Sequence, residues 1–178
     1  MEKHELERAY LINKIPNNLE KCRKLYIKSV WLSQGKEALR IQMKKLGKKT
    51  DYNITKKYYK PSNSYDRKEV TIKLTKGEFI KLDKIGETCV EQIRYFYPLG
   101  KYMLEIDIYK GKLDGYSRIE VEFNSYSEYK RFSPPSWFGK EIKSDVNVYV
   151  HKDMAHLKFS DICKRYQKFE IRLKKIKY

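Results

Sequence analysis

The chain has 178 residues, 40% of them apolar and 35% charged, with a formal net charge of +17. That length holds one domain with a real core and not comfortably two, and the patterned apolar runs exclude a disordered chain. No apolar stretch approaches the ~18 residues of a membrane span and no signal-peptide core opens the chain, so a soluble, cytoplasmic protein is expected.

The three cysteines, Cys22, Cys89 and Cys163, are odd in number and far apart, and make neither a disulfide framework nor a metal cluster. His4, His151 and His156 are too scattered for a zinc site. The charge implies an anionic partner, whether phosphate ligand, nucleic acid or membrane surface.

Alternation predicts a first strand over residues 4–12, with Leu6 toward a core and Glu5, Glu7 and Ala9 on the opposite face. Pro16-Asn17-Asn18 breaks it. A second strand is expected over Tyr26–Leu32, closing on Ser33-Gln34-Gly35, and a third over Ala38–Lys44, with Arg40, Gln42 and Lys44 on one face. The fourth, Tyr52–Tyr59, puts Thr55 and Lys57 on one side. Pro61–Ser64 is an exposed loop, and Arg67–Leu74 is the fifth strand, with Arg67, Glu69 and Thr71 sharing a face.

Thr75-Lys76-Gly77-Glu78 is a capping-type start for a helix that ends at Gly86. Cys89–Phe96, Tyr102–Tyr109 and Ser117–Phe123 read as strands six to eight, with Gln92/Arg94, Glu105/Asp107 and Glu120/Glu122 as their polar sides. A short helix follows the cap at Ser125, and Pro134–Gly139 is a rigid aromatic turn. Phe159, Ile162, Cys163, Tyr166, Phe169, Leu173 and Ile176 recur at three and four, which predicts a long amphipathic C-terminal helix.

Eight strands with short connections favour an antiparallel meander, open or closed into a barrel, with peripheral helices. In an open sheet the polar sides face solvent. In a barrel they line a charged lumen. The spacing of Glu5/Glu7 recurs at Glu120/Glu122, and like charges brought together inside a fold are costly unless cations neutralise them. The two pairs are therefore expected to meet around a divalent metal.

These residues resemble the CYTH domain of the triphosphate tunnel metalloenzymes. Glu5-Leu6-Glu7-Arg8-Ala9-Tyr10-Leu11 is similar to the family's opening Glu-x-Glu-x-Lys motif except at Ala9. In order follow Ser33-Gln34-Gly35, Leu39–Gln42, Ile54–Lys57, Arg67–Glu69, Gln92–Phe96 and Leu104–Gly115, the last running into Ile119–Phe123. Pro134–Glu141 resembles the turn that bacterial members carry, and coverage runs from about residue 4 to residue 156.

The resemblance implies a single CYTH-like domain over 1–178. It is mainly β, α+β in class: an eight-stranded antiparallel closed barrel over about 4–124, and a C-terminal helical part over about 125–178. It implies that Glu5, Glu7, Glu120 and Glu122 hold Mg²⁺ or Mn²⁺. Glu7, Glu120 and Arg94 would carry the chemistry. Arg40, Lys44, Lys57, Arg67 and Arg94 would grip phosphates, with Glu69 orienting basic groups and Glu105 and Asp107 either supporting the metal's ligands from behind or holding an arginine.

Four departures stand out, and the three that replace a cation weaken the implied phosphate grip. Ala9 stands where the family places a lysine, Gln42 where an arginine is usual, Thr71 where a glutamate often sits and Gln92 where a lysine is common. The Ala9 substitution alone is one that would inactivate a family member. The segment Asp145–Tyr149 also lacks the arginine usual after its aspartate.

The expected function is a metal-dependent hydrolase of inorganic triphosphate or of a nucleoside or thiamine triphosphate. The alternatives are a class IV-type adenylate cyclase and a degenerate tunnel that binds a phosphorylated ligand with little turnover. A basic nucleic-acid binder using sixteen tyrosines ranks last, because many tyrosines fall on core faces. No membrane partner is expected, and the protein is expected to be a monomer or homodimer.

Overall fold

A computed structural model of the chain describes residues 6–33, 37–59, 67–142 and 154–176, with the backbone alone described at 37–38, 57–59 and 67–69. Its strands are β1 (Glu7–Ile12), β2 (Arg23–Ser33), β3 (Glu37–Leu46), β4 (Lys49–Tyr59), β5 (Arg67–Leu74), β6 (Thr88–Leu99), β7 (Tyr102–Tyr109), β8 (Ser117–Glu122) and β9 (Phe138–Glu141). Three α-helices are complete among the described residues: α1 (Lys76–Asp83), α2 (Tyr126–Arg131) and α3 (Phe159–Gln167). No helix among the described residues is long and apolar enough to cross a membrane.

The strands form one antiparallel sheet in the order β5-β4-β3-β2-β6-β7-β8-β1-β9. Two expectations are revised here. The described residues form nine strands where eight were expected, and no ladder among them joins β5 to β1 or β9, so they show an antiparallel sheet and not the closure of a barrel. The far edge of β1 is taken by β9, with Tyr10 opposite Glu141 and Ile12 opposite Phe138, so both sides of β1 have partners.

Arg8 fixes this extra strand. Its guanidinium donates to both oxygens of Glu141 at 2.7 Å and to the Phe132 carbonyl at 3.0 Å, and it lies over the rings of Tyr10, Tyr129 and Phe132. The planar fork suits a bidentate carboxylate and an aromatic face at once.

Alternation divides the sheet into two faces. One is apolar over much of its length, with Arg8, Lys28 and Glu91 interspersed. Tyr10, Ile12, Tyr95, Leu104, Ile106, Ile108, Ile119, Val121 and Phe123 pack with Leu19, Phe132 and Phe138, while Val30 and Ile41 pack under Phe79 of α1. α1 begins at a capping box: the Thr75 hydroxyl accepts from the Glu78 N–H, and the Glu78 carboxylate accepts from the Thr75 N–H at 2.7 Å.

On the opposite face, Leu11, Trp31, Val90 and Tyr109 form a separate cluster with Tyr116, Met154, Ile162, Tyr166 and Ile171. The C-terminal segment thus covers part of the face that also carries the polar residues.

The long C-terminal helix is the third correction. α3 stops at Gln167, where the chain turns through Glu170 at φ +58°. The Ile171 N–H returns to the Tyr166 carbonyl at 3.1 Å and the Glu170 N–H to the Gln167 carbonyl at 3.0 Å, the Schellman pattern. Ile171 and Tyr166 belong to one apolar cluster, the contact that accompanies this cap. Beyond it residues 171–176 are not helical, and Ile176 bonds the Gly115 carbonyl at 3.1 Å. Gly115 sits at φ +103°, and a Cβ there would lie 2.6 Å from the Lys175 side chain. The part expected to be helical over 125–178 therefore contains a strand and this non-helical segment.

Candidate functional site

The ladders put the expected site residues on one face. Gln42 lies opposite Ser29 and Asn53, Arg40 opposite Thr55, and Lys44 opposite Ile27. Lys57 lies opposite Glu69, Thr55 opposite Thr71, and Tyr59 opposite Arg67. On the other side Arg94 faces Asp107, Asp107 faces Arg118, Glu105 faces Glu120, Glu120 faces Ala9, and Glu122 faces Glu7. Glu5 lies outside the described residues, as does residue 145 with the segment after it, and the side chains of Lys57, Arg67 and Glu69 are not described.

Arg94 is the hub of the acidic half. Its Nε donates to Asp107 Oδ1 and its Nη2 to Asp107 Oδ2, both at 2.7 Å, and Nη2 also reaches Glu120 Oε2 at 2.6 Å. Nη1 pairs with Glu105. Burial works against the Arg94 charge, but Asp107, Glu120 and Glu105 outweigh it and hold its proton well above the usual arginine range. Glu105 is shifted up by burial. Arg94 pulls it back, while Glu120, Asp107 and Glu122 push it further up.

Arg118 was absent from the expected site. It donates to Glu120 Oε1, and its Nε lies 3.7 Å from Asp107 Oδ2. Asp107 is fully buried, and Arg118 and Glu120 are each 7% exposed. The signal was in the sequence: Arg118 shares the parity of Glu120 and Glu122, so alternation alone puts it on their face.

Along β6, β7, β8 and β1 this face carries five carboxylates, Glu7, Glu105, Asp107, Glu120 and Glu122, against two guanidiniums, Arg94 and Arg118. Five against two leaves an excess of three negative charges. By register the opposite half, on β3, β4 and β5, carries Arg40, Lys44, Lys57, Arg67 and Lys73 against Asp51 and Glu69, an excess of cations.

A row of neutral polar residues crosses the cationic half and reaches β2 and β6. Gln42 Nε2 donates to Ser29 Oγ at 2.9 Å, the Thr55 and Thr71 hydroxyls are 2.9 Å apart, and Gln42, Ser29, Thr55 and Gln92 are buried. Two of the residues that depart from the family's charged positions, Gln42 and Thr71, are thus bonded to Ser29 and Thr55.

Among the described residues no three His, Cys, Asp or Glu side chains close up as a metal set. The carboxylates present are hard oxygen donors of the kind that suits Mg²⁺ or Mn²⁺. Glu7 and Glu122 face each other across one ladder position, and Glu120 lies one row further on.

No family model matches the chain. It is 28% identical over 153 residues to an inorganic triphosphatase of Nitrosomonas europaea, across 85% of this chain and 96% of that protein. The crystal structure of an inorganic triphosphatase superposes with a TM-score of 0.64 at 26% identity, covering 85% of this chain and 93% of the other. A putative adenylate cyclase from Bacillus halodurans shares the fold at a TM-score of 0.51 and 17% identity, over 72% and 85% of the two chains.

The comparisons bear out the resemblance to the CYTH, or triphosphate tunnel, proteins, a mainly antiparallel β fold with a few helices. Within that class the likeness runs to inorganic triphosphatases, in sequence and in structure.

Proposed function

We propose that this chain hydrolyses a triphosphate compound laid across the polar face, with a divalent cation at the acidic half. The carrying observation is the division of that face, an excess of carboxylates on β6–β8 and β1 and of cations on β3–β5. The likeness to inorganic triphosphatases supports the same reading.

The substrate's anionic chain would rest on Arg40, Lys44, Lys57 and Arg67, where each charge-assisted hydrogen bond contributes about 1.5–3 kcal/mol. Glu7, Glu122 and Glu120, with Glu5, would hold Mg²⁺ or Mn²⁺. When bound, the cation offsets phosphate charge and makes water a better nucleophile. Arg94, locked by three carboxylates, presents a fixed positive group to the reacting phosphoryl, and Asp107 and Glu105 keep it there. Curling of the sheet would bring the two halves together around the substrate.

Purified protein should release phosphate from at least one of inorganic triphosphate, ATP, GTP and thiamine triphosphate when Mg²⁺ or Mn²⁺ is present. Glu7→Gln and Glu122→Gln should each lower the rate by a hundredfold or more. No release from any of the four would overturn the proposal, and cyclic AMP formed from ATP would assign the cyclase alternative.

A second reading, binding with little turnover, draws on the Gln42–Ser29 and Thr55–Thr71 bonds, which occupy neutral groups with each other. Metal-dependent calorimetric binding of a non-hydrolysable triphosphate analogue without turnover would select it.

A further inference from the structure

Building on the triphosphatase reading, we propose that Arg118 is a positioning residue of the acidic half, supplying from β8 the positive charge that Ala9 leaves out of β1. Ala9 lies directly across the β1–β8 ladder from Glu120, and Leu11 lies across from Arg118. The Ala9 side chain ends at a methyl group, so β1 offers Glu120 no cation in that row.

Arg118 meets Glu120 from within its own strand, two residues away. Its Nη2 donates to Glu120 Oε1 while Arg94 Nη2 takes Oε2 at 2.6 Å, so each oxygen of Glu120 has its own guanidinium. The same Arg118 fork lies 3.7 Å from Asp107 Oδ2.

Arg118 is 7% exposed and lies across the β1–β8 ladder from Leu11. Removing it alone would leave the buried Glu120 and Asp107 carboxylates short of a positive partner and cost stability, so its role at the face is read from KM and not from folding alone. Keeping the charge makes sense if the face must accept a polyanion. Glu105, Asp107 and Glu120 are three negative charges. Arg94 alone leaves two uncompensated, and Arg94 with Arg118 leaves one. Arg118 also holds Glu120 in one orientation through a planar fork that lysine cannot reproduce.

The test is a rescue experiment on the full chain with inorganic triphosphate and Mg²⁺. Arg118→Met should raise KM tenfold or more with a smaller change in kcat, and Arg118→Lys should recover part of the loss. Adding Ala9→Lys to Arg118→Met should recover most of it, whereas Ala9→Met should recover none.

An unchanged KM in Arg118→Met, or equal rescue by Lys and Met at position 9, would overturn the proposal. If wild type hydrolyses no triphosphate, the functional reading falls first. The Arg118 proposal is then decided by thermal unfolding of the same set, in which Ala9→Lys restores at least half of the lost midpoint and Ala9→Met does not. Additive midpoints would sink it. Should Arg118→Met fail to fold, Arg118→Lys with and without Ala9→Lys carries the same comparison.

Discussion

Arg94 and Asp107 face each other across the β6–β7 ladder and close a two-point ion pair, with both N–O distances at 2.7 Å. Asp107 has no solvent exposure, so removing Arg94 strands a carboxylate in the interior. Arg94→Met is expected to cost about 3–5 kcal/mol, the range for breaking a buried pair from one side. Urea unfolding of the two proteins checks this, and a loss below about 1 kcal/mol would contradict it.

Glu105 gives a pH signature. Its folded-state pKa is raised above the ordinary value near 4.5, burial being the largest cause. A carboxyl raised in this way binds its proton more tightly when folded. Its stabilising contribution is complete below the ordinary value and is lost as pH rises through the raised one. Glu105→Gln removes that dependence, so the variant's unfolding midpoint relative to wild type should climb between pH 4 and pH 7. A constant offset across that range would count against the assignment.

Metal should act on stability as well as on turnover. A ligand that binds only the folded state stabilises it by about 2.7 kcal/mol at a hundredfold excess over its Kd. Titration with Mn²⁺ should therefore raise the wild-type midpoint and do little to a Glu7→Gln/Glu122→Gln protein. Equal responses would place the cation elsewhere.

Glu170 occupies the left-handed position of the cap that ends α3, at φ +58°. Side chains with a Cβ pay for that conformation and glycine does not. Glu170→Gly is expected to stabilise the fold by about 0.5–1 kcal/mol, read as a higher unfolding midpoint. A lower midpoint would mean that the Glu170 side chain itself supports the cap.

Much of this architecture was legible in alternation. β2–β8 fall where period-two patterning puts them, and Thr75/Glu78 announces α1. The polar face was legible too, because residues such as Arg40, Gln42, Arg94, Asp107 and Glu120 each sit opposite an apolar neighbour.

What failed was local signal overruled by tertiary context. β9 is four residues long and follows two prolines, so its alternation of Phe138 and Lys140 was too brief to outweigh the turn residues. The three-and-four spacing of Phe169, Leu173 and Ile176 continues past α3, but it serves a segment that is not helical. Only the Schellman bonds at Ile171 and Glu170 reveal the stop. Whether a sheet closes depends on pairings between distant segments that no local pattern encodes. The register of Arg118 was readable from that of Glu120, two residues on, but an arginine beside two acids carries no local mark that sets it apart from a solvated ion pair.

The placement of β1 between β8 and β9 has a kinetic consequence. An interior strand with a ladder on each side opens only when a larger cooperative unit opens, whereas β5 has one neighbouring strand among the described residues and can peel away more easily. Backbone amides of Arg8, Tyr10 and Leu11 should therefore exchange with deuterium far more slowly than those of Val70 to Lys73. A molecule fraying from its weaker border would release the strand bearing Arg67 first, while the strand bearing Glu7 kept its place.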